Sequence, residues 1–177
     1  MREHEVILRA VKGLENKINY MRDSGRIDVD FLRGFIEFSR TFIDRCHHGK
    51  EEVCLFPCLE RRGIPREGGP IGVLLMEHEM GRTLIKRLSE ALDRYVEHGE
   101  GFDRIIQLCE GYVELLKEHI DKENNVLFPM GDEVMEEKDS EEVESCYDER
   151  EEEIGHGIHE RMERLAEHLG GESEDST

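Results

Sequence analysis

Two stretches of this chain hold residues that could bind a metal: "CHHGKEEVCLFP" at 46–57 and "EHIDKENNVLFP" at 118–129, both ending on Leu-Phe-Pro. Superposing those endings, a shift of 72 residues, sets His47 on His119 and Glu51 on Glu123, whereas His48 meets Ile120 and Glu52 meets Asn124. On an α-helix a His and a Glu four apart share a face, and the next position is turned away by about 100°. The repeat therefore selects His47 with Glu51 and His119 with Glu123. It leaves His48 and Glu52 one position round the helix, where Glu52 can still hold a ligand histidine from behind. Upstream, "EHEVI" (3–7) matches "EHEMG" (77–81) at a shift of 74, which pairs His4 with His78. Four imidazoles and two carboxylates, without thiolate, make a donor set that suits two iron ions, or manganese, more than a structural zinc. Each Glu bridges in such a site, each ion keeps two His, and an open position is left for a small diatomic ligand or peroxide.

These residues need elements that bring them to one depth. Apolar residues recur at spacings of three and four: Ile7, Leu8, Val11, Leu14, Ile18 and Met21 in one segment, Leu84, Ile85, Leu88, Leu92 and Val96 in another. Breaks at "DSGRIDVD", "RRGIPREGGP" and "HGEGFD" divide the chain into helices at about 2–22, 29–61, 70–97 and 102–136, with a fifth at about 139–168. The spacing predicts an all-α, up-down-up-down four-helix bundle over 1–136, a C-terminal helical extension over 137–169 packing on it, and a disordered tail at 170–177. In an antiparallel helix pair, positions equally far from the turn are level. At 1.5 Å per residue His4 and His47 each lie ~27 Å from their turn, and His78 and His119 ~26–28 Å from theirs. All four levels coincide. Pro57 and Pro129 fall inside predicted helices, where each should kink the axis.

Composition narrows the rest. Acidic residues number 43 against 24 basic, for a formal net charge of −19, which argues against partnership with nucleic acid or an anionic membrane surface. The N-terminal "MREHEVILRAV" lacks the basic start and apolar run of a signal peptide, so a cytoplasmic location is expected. Cys46, Cys54, Cys58, Cys109 and Cys146 contain no CxxC pair and are odd in number, so reduced thiols are expected. Cys54 and Cys58 continue the series 47, 51, 54, 58 on one inward face and read as core residues. Tyr112, seven residues before His119, reads as core as well, and Gly81 frees space beside His78.

"EHEVI", "HHGKEEVCLFP", "EHEMGR" and "HIDKENNVLFP" together resemble the hemerythrin-like proteins, the HHE cation-binding domains, over residues 1 to about 135. The resemblance implies a non-haem di-iron site in a four-helix bundle, with His4, His47, Glu51, His78, His119 and Glu123 as ligands. It also implies binding or sensing of O2, NO or peroxide. The oxygen-carrying members have a further ligand histidine, and here the position four after His78 is Arg82, which argues against reversible O2 carriage. His159, on the last helix, is a candidate replacement. Two other functions compete: a di-iron oxidoreductase fed by an unidentified redox partner, and a zinc-holding structural module. The last helix either caps the bundle or forms a homodimer contact.

Overall fold

Heptad-like apolar spacing becomes helix wherever the sequence predicts it. The structure, a computed structural model, describes residues 2–171, so most of the expected tail at 170–177 lies outside the described residues. No strand occurs among them. The first helix, α1 (Arg2–Ser24), turns at Gly25 into α2 (Val29–Phe38), whose N-cap Asp28 accepts the Phe31 backbone N–H. This second rod runs on through π-helical stretches at Ser39–His48 and Glu51–Leu55 into α3 (Phe56–Arg61). The third rod is α4 (Pro70–His98), opened by a proline at N1 and closed by Gly99 in the left-handed conformation (φ 71°). The fourth is α5 (Phe102–Lys122), a π-helical stretch at Glu123–Leu127, and α6 (Phe128–Val134). The four rods form the bundle.

The prolines widen their helices. A proline at position i collides with the carbonyl at i−4, and the turn before each one relaxes to i→i−5 bonding. The Phe56 N–H bonds the Glu51 carbonyl and the Phe128 N–H bonds the Glu123 carbonyl. Each Leu-Phe-Pro thus places a π-turn on a glutamate of the repeat. π-turns are rare and tend to mark functional sites.

The predicted fifth helix is two. α7 (Glu137–Ile154) opens with a capping box between Glu136 and Asp139, and Gly155 (φ 104°) separates it from α8 (His156–Leu169). α8 lies across α1 and α2 and buries Met162, Ala166 and Leu169 in the main core. α7 lies against the second rod near Glu51–Leu55.

Two apolar clusters divide the interior. The larger fills the body of the bundle and includes Leu14, Phe35, Phe38, Phe42, Leu88, Ile105 and Tyr112. The smaller gathers Leu55, Phe56, Leu59, Ile71, Leu74 and Leu127 at the Leu-Phe-Pro end. Between them lies a layer of buried histidines and carboxylates.

Candidate metal centre

His4 from α1, His47 and Glu51 from the second rod, His78 from α4, His119 from α5 and Glu123 after it are all buried, at most 2 % exposed. The structure brings all six sequence-selected residues together. The Nε2 atoms of His4 and His47 stand 3.2 Å apart, as do those of His78 and His119. Glu123 spans the two pairs: its Oε2 is 2.8 Å from His4 Nε2 and its Oε1 is 2.7 Å from His119 Nε2. Glu51 spans them on the other side, Oε1 lying 3.5 Å from His47 Nε2 and Oε2 lying 3.3 Å from His78 Nε2.

The other ring nitrogen of every one of these histidines is held by an oxygen. His4 Nδ1 donates to Asn124 Oδ1 at 2.9 Å, His47 Nδ1 to Glu3 Oε2 at 2.9 Å, His78 Nδ1 to Glu52 Oε1 at 2.7 Å and His119 Nδ1 to Glu77 Oε2 at 2.9 Å. Holding Nδ1 as a donor fixes the tautomer and turns the Nε2 lone pair inward. Lys50 binds Glu3, and Lys122, its partner in the repeat, binds Glu77. Phe128 stacks on His4 with centroids 5.6 Å apart, and Phe56 stacks on His78 at 5.8 Å. The internal repeat has thus become a pseudo-twofold centre, outer carboxylates, lysines and aromatic walls included.

Charge explains what such a layer requires. All four carboxylate oxygens of Glu51 and Glu123 are buried without a hydrogen-bond partner among the described residues, and leaving them so is costly. Burial pushes the Glu51 carboxyl up, and the nearby Glu123 adds to the rise. Burial acts on Glu123 too, but contacts from His119, His4 and His47 outweigh it and hold this carboxyl well below the usual range. Burial alone lowers His47 and His78, but the surrounding carboxylates outweigh it and raise both. Glu3 is likewise pulled below the carboxylate range, since His47 and Lys50 overcome its burial. Positive charge must therefore sit among these lone pairs, as protons or as metal cations. Two nitrogens each about 2.1 Å from an ion and at right angles lie about 3.0 Å apart, close to the spacing within each histidine pair. The residues fit a pair of metal ions: two groups, His4, His47, Glu51 and Glu123, and His48, Glu51, His78 and His119, each converge tightly enough to hold one.

His48 is the residue that sequence reasoning set aside. It is buried, stacks on the His78 ring at 3.7 Å, and neither of its nitrogens has a hydrogen-bond partner among the described residues. Burial and the neighbouring histidines push its pKa well down, so it is neutral at pH 7. The expectation that His48 turns away assumed α-helical register. The π-helical stretch at Ser39–His48 turns by less per residue, and both adjacent histidines reach the layer. His48 also lines a cavity of about 160 Å³ with Ser39, Asp44, His78, Gly81 and Tyr112. Tyr112 and Ser39 share a hydrogen bond between their hydroxyls there. The repeat partner of His48 is Ile120, so the layer is open to a polar cavity beside His48 and lined by an apolar side chain at the matching position.

Other expectations change. His159 does not join the layer: its Nε2 is 3.4 Å from Glu3 Oε1, behind His47, and its ring lies against Phe42. Arg82, at the position of the absent histidine, binds Asp44 and Glu52 and so braces the carboxylate behind His78. Cys54 is not a free core thiol. It forms a disulfide with Cys146 of α7, with Cα atoms 5.8 Å apart, whereas Cys46, Cys58 and Cys109 are free and buried. A contact between residues 92 apart leaves no trace in local spacing.

Comparison with known proteins adds to this geometry. The family model "Hemerythrin HHE cation binding domain" matches residues 1–131. An uncharacterized protein of Mycobacterium tuberculosis is 27% identical over 136 residues, covering 76% of this chain and 52% of that protein. The iron-sulfur cluster repair protein YtfE of Enterobacter is 34% identical over 86 residues, covering 47% of this chain and 39% of that protein. The chain thus spans about half the length or less of these curated relatives. No solved structure matches the chain. Among the described residues no helix is long and apolar enough to cross a membrane.

Proposed function

We propose that this chain, which belongs to the hemerythrin HHE cation-binding family, is a di-iron protein that binds or senses O2 or a related small oxidant such as NO or peroxide. His4, His47, His78 and His119 would hold the ions through their nitrogens, and Glu51 and Glu123 through their carboxylates. The observation that carries this reading is the pair of 3.2 Å Nε2 couples spanned by two buried carboxylates that have no hydrogen-bond partner among the described residues. The ions, when bound, supply redox chemistry toward small molecules. The likeness to relatives named for iron-sulfur cluster repair supports iron over zinc.

The chain's own residues would do the following. Glu3, Glu52, Glu77 and Asn124 orient the imidazoles. Phe56 and Phe128 exclude water from one side. The cavity beside His48 admits a small molecule to the His78–His119 half, with Gly81 opening one wall: a Cβ there would lie 3.6 Å from the Tyr112 ring. His48, one of the four residues converging on that half and with no hydrogen bond to either ring nitrogen among the described residues, can donate a hydrogen bond to a molecule in that cavity. Ile120 offers nothing equivalent at the matching position. The two halves are therefore chemically unequal despite their matched ligands.

Anaerobic loading with Fe(II), followed by metal analysis and optical spectra on admitting O2, tests this reading. Two irons per chain and new visible bands are expected. Bands that fade on removing O2 indicate carriage, whereas bands that persist until reductant is added indicate sensing or catalysis. Stoichiometric zinc in a chain that refuses iron and ignores O2 would overturn the reading.

A further inference from the structure

The disulfide between Cys54 and Cys146 ties α7 to the second rod beside the ligand layer. Cys54 lies three residues beyond Glu51 on the same rod, and Cys146 lies in the middle of α7. α7 is otherwise held by few apolar contacts and by ion pairs to the end of the second rod, Arg62 to Asp139 at 2.8 Å and Arg61 to Glu142 at 3.5 Å among them. Its sequence, EKDSEEVESCYDEREEEI, buries only Asp139, Val143 and Ile154. Beside the disulfide, its polar ties to the second rod include Glu151 paired with Lys50 and Tyr147 under the Lys50 ammonium, 5.6 Å from its ring centre. Under α7 a cavity of about 510 Å³ remains, lined by Leu55, Leu127, Phe128 and Val143 and by polar residues that include Asp132 and Glu144. Leu55, Leu127 and Phe128 of the two Leu-Phe-Pro segments therefore lie beneath a helix fastened by one covalent bond and by ion pairs at its surface.

We propose that Cys54 and Cys146 are a reversible oxidation site whose substrate is a hydroperoxide, and that closing the disulfide clamps α7 over the Leu-Phe-Pro end of the bundle. Half-buried Cys146 is the accessible partner. Its thiolate attacks the terminal peroxide oxygen and the O–O bond breaks, leaving a sulfenic acid and a hydroxide (from hydrogen peroxide) or an alkoxide (from an organic hydroperoxide) that takes up a proton as water or alcohol. The Cys54 thiol then attacks the sulfenic sulfur, the S–O bond breaks, and water leaves as the S–S bond forms. Two electrons pass from the dithiol to the peroxide. A small dithiol restores both thiols by exchange and becomes a disulfide itself. The remaining cysteines do not compete. All three are buried and so shielded from a peroxide in solution, and burial also pushes the Cys109 thiol to about 12 and raises that of Cys58.

The test uses the full chain as purified, reduced with dithiothreitol, desalted anaerobically and treated with one equivalent of H2O2. Thiols alkylatable after denaturation should fall from the five of the sequence to three, with a cross-linked peptide joining Cys54 to Cys146. Hydrogen exchange of α7 amides should slow about tenfold or more on oxidation while exchange in α4 and α5 stays constant. Cys146→Ser should retain four thiols after peroxide, and its α7 should exchange at the reduced-state rate under both conditions. Wild-type protein alone decides the matter if that variant fails to fold. The proposal falls if five thiols survive, if the cross-link uses Cys46, Cys58 or Cys109, or if α7 exchanges equally in both states. Repeating the treatment on zinc-loaded chain, whose metal does not consume peroxide, separates failure of this proposal from failure of the di-iron reading: thiol loss to three is expected there as well.

Discussion

Glu52 separates a metal centre assembled by its surroundings from one defined by its ligands alone. Read on an α-helix, Glu52 faces away from the layer and its loss should be nearly silent. In the structure its Oε1 holds His78 Nδ1 at 2.7 Å and is itself held by Arg82 Nη2 at 2.8 Å. Removing such an outer partner typically weakens metal binding 10- to 100-fold, which is about 1.4–2.7 kcal/mol. The loss should fall on one ion only. His78 belongs to the half-site with His119, whereas His4 and His47 are oriented by Asn124 and Glu3, which Glu52 does not touch. Glu52→Ala should therefore keep two binding steps in an anaerobic Fe(II) titration followed by calorimetry, with one step unchanged and the other weakened 10- to 100-fold. Glu52→Gln should recover most of the loss, because a carboxamide oxygen already does this work behind His4. Glu51→Ala removes a spanning carboxylate and should damage both steps. Far-ultraviolet circular dichroism checks that each variant keeps its helix content. Equal weakening of both steps in Glu52→Ala, or no weakening at all, would refute the reasoning.

The fold yields two further predictions. Gly13→Ala should cost about 1–3 kcal/mol, because the added Cβ would stand 1.9 Å from the Leu169 backbone oxygen, which cannot swing aside. Urea unfolding measures the loss, and hydrogen exchange should locate it in α8. Asp28→Asn should lower stability by about 0.2–1 kcal/mol at pH 7, since Asp28 pairs with Lys17 at 2.7 Å while also capping α2. Burial raises the Asp28 carboxyl, but Lys17 and the Phe31 N–H together outweigh it and depress its pKa. A depressed carboxyl stabilises the fold above its unfolded value and loses that contribution as pH falls through its folded one. The gap in urea midpoint between wild type and Asp28→Asn should therefore close in acid, and a gap that widens would reverse the sign.

The bundle was legible in the sequence because helix formation and amphipathic packing depend on spacing alone. The rods at 29–61 and 70–98 end within a residue of where the glycine- and proline-bearing breaks place them. The convergence of His4, His47, Glu51, His78, His119 and Glu123 was legible for a related reason. An internal repeat reports on itself, and equal distances from two turns put residues at one height. The break at Gly155 was less so, since a lone glycine costs a helix only about 1 kcal/mol and does not by itself end one.

Residue types and repeat register by themselves determined that this chain folds as an α-helical bundle and which six donors meet within it. Only the tertiary structure decided which of two adjacent histidines reach the layer, which oxygen stands behind each imidazole, and which cysteines pair. These are contacts between residues tens of positions apart, or consequences of a widened π-turn. Local periodicity encodes neither, because it counts residues along one regular helix and is blind to what the neighbouring helices bring.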